Sequence, residues 1–326
     1  MPHDPRARPT IAVLRDLKDG WGSPWVRRAI DQQQWDDLRP LADFDHPILV
    51  KAREVMGSDV TNDHPRGRID CSRDLALSEV RAGQWRAGVW TDRDGVRWLV
   101  AAGLAKGGHR DNDDFYERLE SACSTAEGQS RLLPTVEDGR ILKSETAAMM
   151  LTEWELAVQE VCADLLQAAR QHGVHQRPIP DPNPVKPVMA DVRLTWAIEG
   201  DVEAFVFEIL NPTRAGSQLA WKLERRLLVS VAPPIQDWDV AGGIFSAMEA
   251  HGHAELQLAK LVDANARAEL LPMIPGHVAH RVHRRHIGGS LVDGVAVRAL
   301  CEVFFVATQN PDGVPECAAC LDWVRS

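Results

Sequence analysis

The sequence is poor in the features that mark membrane and secreted proteins. It contains no apolar run of about 18 residues, so we expect no membrane-spanning helix. The 326 residues include only 6 cysteines, too few for a disulfide scaffold, which favours a reducing compartment. The amino-terminal stretch MPHDPRARPTIAVLRD has mixed charge and no apolar core, unlike a secretory signal peptide. We therefore predict a cytoplasmic protein without membrane contact.

Familiar catalytic signatures are missing as well. The sequence has no P-loop, no GxGxxG fingerprint, no GxSxG elbow and no HExxH motif, and we predict no cofactor. The formal net charge of −10 argues against nucleic acid binding across the whole surface, because the average surface repels phosphate. It leaves room for a local basic patch.

The sequence does contain alternating helical and strand-like patterns. Its 326 residues, 44% of them hydrophobic, are enough for more than one core. We predict an α+β fold with two domains, each with a small antiparallel sheet packed by helices. Five prolines in the stretch RPIPDPNPVKPV are typical of a linker. The predicted organisation is a leader over 1–19, a first domain over 20–172, a proline-rich linker over 173–188 and a second α+β domain over 189–326.

Individual elements are predicted from apolar periodicity and turn residues. Apolar residues at three- or four-residue spacing indicate a helix over 140–171, closed by Gly173. Two strands are expected around the turn Glu199-Gly200-Asp201. The remaining predictions for the second domain are strands at 192–198 and 204–210, a helix over 243–271 and a final hairpin formed by 295–308 and 317–324.

One predicted hairpin combines a clear turn signal with a group of basic side chains that could form a catalytic site. Asp94-Gly95 is a favoured hairpin turn, so the start of one strand lies beside the end of the next. The basic side chains expected to converge there as a catalytic group are Arg86, Lys106, His109 and Arg110. Such a group suits phosphate contact and stabilisation of a phosphorane-like transition state, with His109 as acid or base. The alternative is a solvated hairpin end that neutralises the acidic helix following it.

Other arginines near this hairpin and in the carboxy-terminal part extend the predicted basic surface. The residues predicted to bind nucleic acid are Arg81, Arg93, Arg97, Arg281, Arg284 and Arg285.

Residues 30–125 resemble the core of RelE/HigB-type toxins, which are small ribosome-dependent ribonucleases. Trp85-Arg86 matches the aromatic-Arg pair of that family, Trp98–Leu104 its apolar strand and Ala105–Arg110 its basic segment. Asp113–Leu119 matches the start of its closing helix. The resemblance implies an RNA-directed protein of a bacterial toxin or anti-phage defence system, possessing metal-independent endoribonuclease activity on RNA or the ribosome.

A histidine cluster and a cysteine pair lie near the carboxy-terminal end of the sequence. The histidines recur at every third position: His277, His280, His283 and His286. On a helix, neighbours at this spacing share a face and suit a metal, a phosphate or a nucleic acid; the alternative is a basic exposed turn. Cys317 and Cys320 form a single CxxC, interpreted either as two partly buried thiols or as part of a metal site shared with the histidines. No metal ligand is assigned from the sequence.

Two other functions stay open. One is a non-catalytic scaffold or regulatory subunit that binds a partner protein through its carboxy-terminal sheet, with the 11 tryptophans as anchors. The other is a metal-dependent nuclease built on Glu203, Glu208 and Lys222, since paired carboxylates and a lysine can hold Mg²⁺ and a phosphate.

Overall fold

The computed structural model of the protein describes the chain apart from residues 1–5, 36–37, 39, 58–64, 73, 107–112, 184, 186–187, 242, 274–275, 277, 285–296, 302, 306–310, 312 and 326. The chain divides into two compact units, Met1–Met149 and Met150–Ser326. Each contains helices and a sheet with mainly antiparallel strands, so the fold is α+β. None of the helices in the described part is both long enough and apolar enough to cross a membrane.

The first unit is built on a four-stranded sheet. Its elements are β1 (Arg8–Pro9), α1 (Ile11–Asp16), α2 (Pro24–Asp31), α3 (Pro47–Val55), β2 (Ser78–Ala82), β3 (Trp85–Thr91), β4 (Arg97–Leu104), α4 (Phe115–Cys123) and α5 (Ala126–Leu132). The strand order is β1-β4-β3-β2, with β1 parallel to β4 and the other neighbours antiparallel. The sheet is therefore mainly antiparallel, as predicted, with one parallel pair formed by β1 and β4.

Both faces of β4 are buried, which explains its continuous apolar sequence. Leu99 joins a core cluster with residues of α1, α2 and α3. Trp98 and Val100 join a second cluster with Phe115 and Leu119 of α4.

Residues 8–16 belong to this sheet and its core, unlike the loose leader predicted for 1–19. Val13 and Leu14 are buried, and the backbone N–H of Ile11 donates to the Asp138 carboxylate at 2.7 Å. The apolar stretch is too short to show helical periodicity, so the sequence pattern alone did not reveal its burial.

The β3–β4 hairpin closes at the predicted turn. One carboxylate oxygen of Asp92 accepts the backbone N–H groups of Asp94 and Val96 at 2.9 and 2.8 Å. Gly95 has φ +85°, a conformation that glycine adopts without strain. As a result Arg86 pairs with Gly103, near the end of β4.

The second unit contains a five-stranded antiparallel sheet in the order β5-β6-β7-β9-β8. The remaining α-helices and strands among the described residues are α6 (Val136–His172), β5 (Val174–Ile179), β6 (Ala190–Glu199), β7 (Val202–Leu210), α7 (Gln218–Val231), β8 (Asp239–Ala241), β9 (Ile244–Ala250), α8 (His253–Ala266), β10 (Val297–Arg298), β11 (Phe304–Phe305) and α9 (Ala318–Arg325). Residues of α6, α7 and α8 form one core with inward-facing residues such as Phe205 and Phe207.

The predicted linker over 173–188 contains β5, and the division between the units falls inside α6 at Met149–Met150. β5 is an edge strand, so Pro178 can lack an N–H donor without breaking a ladder between two neighbours. Proline content indicated a linker here because it does not distinguish an edge strand from an extended connection.

Two predicted elements of the second domain are wrong. The predicted helix over 243–271 is β9 followed by α8, and the predicted strand over 317–324 is α9. Ile244 and Met248 are four residues apart, which fits a helix, but it is Phe245 and Ala247 that are buried, in strand alternation.

Candidate metal centre

Four potential metal ligands meet in the carboxy-terminal segment of the second unit. Their ligand atoms, from His280, Cys301, Cys317 and Cys320, all lie within 4.8 Å of one another. Three separate stretches of chain supply them. Cys301 lies between β10 and β11, Cys317 directly precedes α9, Cys320 lies in its first turn, and His280 belongs to an extended stretch over 279–282.

Backbone pairing brings these stretches together. Ala279 bridges to Glu316 in parallel fashion, and Val282 bridges to Ala299 in antiparallel fashion. The N–H of Cys317 donates to the carbonyl of Ala279 at 2.9 Å. His280 is therefore held between two strand-like neighbours, each of which leads directly to a cysteine.

The distances approach those of a small tetrahedral site. The Nδ1 atom of His280 lies 3.2 Å from Sγ of Cys301 and 3.8 Å from Sγ of Cys320. Zinc bound at about 2.3 Å to sulfur and about 2.0 Å to nitrogen separates its ligand atoms by roughly 3.5–3.8 Å. Three sulfurs and one imidazole nitrogen form the Cys₃His set of structural zinc sites.

The pKa shifts of His280 and Cys320 favour metal ligation, whereas that of Cys301 opposes it. Burial lowers the pKa of His280, so its imidazole is neutral near pH 7 and offers a lone pair. Burial opposes ionisation of Cys320, yet the backbone N–H of Arg281 and the Cys301 thiol bring its pKa below the ordinary value of 9.0. Burial raises the pKa of Cys301 to about 11, so this thiol needs a bound cation to lose its proton near neutrality.

The histidines spaced three positions apart do not share one helix face, as was considered from the sequence. Residues 279–282 are extended, and side chains three positions apart in an extended chain point to opposite sides. His280 enters the site, whereas His283 does not. His277 and His286 lie outside the described residues.

The arginines near this site were predicted to bind nucleic acid. Arg281 makes two contacts with the Glu316 carboxylate, at 3.0 and 2.9 Å, and Arg284 is exposed. Arg285 lies outside the described residues. Arg281 is thus neutralised locally and helps to hold the stretch that carries His280 beside the start of α9.

The predicted catalytic hairpin is only partly within the described structure, since His109 and Arg110 lie outside it. The guanidinium of Arg86 donates to the Tyr116 hydroxyl at 3.2 Å and to the carbonyl of Gly83 at 2.7 Å. The Nζ atom of Lys106 lies 3.7 Å from the Asp113 carboxylate. Each described member of the predicted group therefore has a local partner.

A carboxylate that the sequence did not single out organises this end of the hairpin. Glu79 accepts a hydrogen bond from Arg81 at 2.6 Å and another from the Tyr116 hydroxyl. Although burial opposes its ionisation, these donors hold the pKa of Glu79 below its ordinary value. Arg81 and Arg86, directly opposite each other in the β2–β3 pair, are linked through Glu79 and Tyr116.

The other two predicted arginines of the hairpin lie at its opposite end. Arg93 is exposed in the turn. Arg97 is buried and donates to the carbonyl of Gly57 at 2.7 Å, which gives it a structural contact.

The carboxylates considered for a metal-dependent nuclease have separate roles. Glu203 accepts the N–H groups of Gly252 and Ala254 at the start of α8, at 2.7 and 2.8 Å. Glu208 pairs with Arg193, and Lys222 lies 3.9 Å from Glu155. No shared metal site joins these three side chains in the described structure.

Comparison with known proteins bears on the carboxy-terminal segment. Residues 275–326 match the family described as "Protein of unknown function (DUF3039)". Comparison with curated proteins and with solved structures gives no significant match. The matched segment contains all four ligands, so the metal centre lies entirely within a stretch similar to one protein family.

Cys301 was not identified as a ligand from the sequence pattern. A third cysteine upstream of the CxxC pair, with a histidine before it, was the available signal. Spacing alone did not show that the β10–β11 turn brings Cys301 back to the start of α9.

Proposed function

We propose that residues 275–326 bind one Zn²⁺ through His280, Cys301, Cys317 and Cys320, and that this ion holds the segment in its fold. The observation that carries this proposal is the convergence of four ligand atoms within 4.8 Å. Three thiolates and an imidazole favour zinc over magnesium or calcium, which prefer oxygen ligands.

The proposed role is structural, because four protein ligands complete a tetrahedral shell and leave no position for a substrate.

Metal content of the purified full chain tests this proposal. We expect one zinc per chain after dialysis, and a cobalt-substituted protein with the intense visible absorption of tetrahedral thiolate ligation. Cys320→Ser should lower zinc affinity by at least about tenfold, since it removes one of four ligands. Cys71→Ser is the matched control, because Cys71 lies in the first unit and should leave zinc content unchanged. Zinc well below one per chain, or equal loss in both variants, contradicts the proposal.

We also propose, as a second function, that the first unit acts on RNA in a bacterial toxin or anti-phage defence setting, as its resemblance to RelE/HigB-type toxins implies. The supporting observation is the adjacency of Arg81 and Arg86 at the end of the sheet where β4 leads into Lys106. Two guanidinium groups at a strand end can contact a phosphate backbone.

Binding and cleavage of a labelled single-stranded RNA by the full chain test this second proposal. Arg86→Ala should weaken binding or cleavage at least about tenfold, whereas Arg93→Ala, at the other end of the hairpin, should have little effect. No detectable RNA binding at low salt, or equal effects of the two substitutions, contradicts it. The zinc measurement is independent of this result.

A further inference from the structure

Two cysteines of the first unit, neither of them part of the candidate metal centre, are brought together by the fold. Cys71 belongs to the 3₁₀ turn Asp70–Ser72, and Cys123 is the last residue of α4. Cα atoms of this turn lie within 8 Å of Cα atoms of α4. Both cysteine side chains pack in the same apolar cluster as Leu119 of α4. Residues 52 positions apart in the sequence (123 − 71 = 52) are therefore neighbours in the structure.

A glutamine of α5 ties the same two stretches of chain to each other. The Nε2 atom of Gln129 donates to the carbonyl of Cys123 at 2.8 Å. The same atom donates to the carboxylate of Asp74, three residues after Cys71, at 3.2 Å. This bridge holds the turn that carries Cys71 against the end of α4.

The two sulfur atoms interact directly. A side-chain hydrogen bond joins the thiols of Cys71 and Cys123, and neither residue is in a disulfide. Cys123 is 8% exposed, whereas Cys71 is partly exposed, so an oxidant in the solvent meets Cys71 first. One reachable thiol beside a second, resolving thiol is the arrangement that redox-sensing proteins use.

The surroundings of the pair determine which oxidants react with it. Burial is the largest cause that raises the pKa of Cys71, to about 11, and Cys123 and the Glu120 carboxylate act in the same direction. Burial also raises the pKa of Cys123, with the Asp74 carboxylate as a smaller cause. Both thiols are protonated near neutrality, and the thiolate is the reactive form, so the pair stays reduced unless a strong oxidant is present.

We propose that Cys71 and Cys123 are a redox modification site, at which a peroxide converts the two thiols into an intramolecular disulfide. The thiolate of Cys71 attacks one peroxide oxygen, the O–O bond breaks, and Cys71 becomes a sulfenic acid while one water leaves. The sulfur of Cys123 then attacks the sulfenic sulfur, the S–O bond breaks, and a second water leaves. The two thiols lose two electrons and two protons in all, and the peroxide accepts them. The new bond links the turn before β2 to the end of α4.

Peptide mapping of the full chain tests this proposal. Reduced protein and protein treated with hydrogen peroxide are alkylated, digested without reductant and analysed by mass spectrometry. After peroxide we expect a linked pair of peptides that contain Cys71 and Cys123, lighter by two hydrogen atoms than the two reduced peptides together. Dithiothreitol should separate the pair again, because a disulfide is reversible whereas sulfinic and sulfonic acids are not reduced by thiols.

Substitutions of single cysteines show whether the link is specific. Cys71→Ser and Cys123→Ser should each abolish it, and Cys123→Ala repeats the second test without adding a buried hydroxyl. Cys162→Ser is the matched control and should retain the link, because Cys162 is buried in the core of the second unit. Far-UV circular dichroism verifies that each variant is folded.

Three results would overturn the proposal. One is a wild-type chain in which Cys71 and Cys123 are both still alkylated after peroxide treatment. Another is irreversible oxidation of Cys71 while Cys123 keeps its thiol. The third is a disulfide confined to the cysteines of the candidate metal centre. Because zinc content is measured on reduced protein, failure of the disulfide leaves the metal proposal intact.

Discussion

The Nδ1 atom of His280 lies 3.2 Å from the Sγ atom of Cys301, although the two residues are 21 positions apart. A donor nitrogen and a sulfur this close, with two further sulfurs beside them, form a candidate metal-ligand set. In the proposed zinc-bound state, coordination would hold these stretches together, whereas the sheets of the two units contain clusters of buried apolar residues.

Removal of zinc should loosen the carboxy-terminal segment selectively. The N–H groups of Leu300 and Cys317 donate to the carbonyls of Arg281 and Ala279, and these bonds should open when the ligands are released. Hydrogen exchange with and without a strong chelator measures this. Peptides from β6 serve as the internal reference, and unchanged exchange at Leu300 and Cys317 would show that the metal is dispensable for the local fold.

Asp138→Ala should destabilise the first unit by about 1–3 kcal/mol. Its carboxylate accepts the N–H of Ile11 at 2.7 Å and the N–H of Thr135 at 2.7 Å, and alanine leaves these donors without their partner. Urea unfolding followed by circular dichroism gives the free energy. Asp164→Ala, at an exposed position of the same helix, is the control and should change stability much less.

Arg226→Met should be strongly destabilising, by about 3–5 kcal/mol, because it leaves the Glu155 carboxylate buried without its main cation. The two side chains lie 2.7 Å apart, and both are largely buried. The double variant Arg226→Met with Glu155→Met should recover much of the loss, since it removes both buried charges. A double-mutant cycle from urea unfolding checks this, and additive effects of the two substitutions would contradict it.

Glu79→Gln should show a pH-dependent effect. The folded-state pKa of Glu79 lies below its ordinary value of 4.5, so its ionised form stabilises the fold above that pH. This contribution is lost as pH falls through the folded pKa, and the stability difference between wild type and Glu79→Gln should shrink on acidification. Urea unfolding between neutral and acidic pH measures the difference. Glu120→Gln, at an exposed position of α4, is the control, and a constant difference for Glu79→Gln would argue against the assigned pKa direction.

The sequence allowed good prediction of elements set by local signals. The period of α6 and the turn at Gly200 between β6 and β7 follow from residue spacing and from a glycine with positive φ. The β3–β4 hairpin follows from Asp94-Gly95 in the same way. These features depend on neighbours only a few positions apart, so one sequence contains their cause.

The metal centre and the partners of the basic hairpin could not be predicted from one sequence, because they depend on contacts between residues far apart in the chain. Cys301 reaches the site because of the β10–β11 turn, and His280 enters it because its stretch is extended rather than helical. Glu79 neutralises Arg81 and contacts Tyr116 across two elements. The resemblance to RelE/HigB-type toxins stays a prediction, since it concerns an activity that these contacts do not test.

The parallel pairing of β1 with β4 has a consequence for the order of folding. Arg8 pairs with Trp98, 90 positions later (98 − 8 = 90), whereas β3 and β4 are joined by a tight turn. Closing the longer loop costs more chain entropy, and contacts between distant positions form slowly. We therefore expect the β2–β3–β4 meander to form first and the strand at Arg8–Pro9 to join last. Pulse-labelling hydrogen exchange checks this at Thr10, whose N–H donates to the carbonyl of Leu99, because its protection should appear after that of the β3–β4 amides.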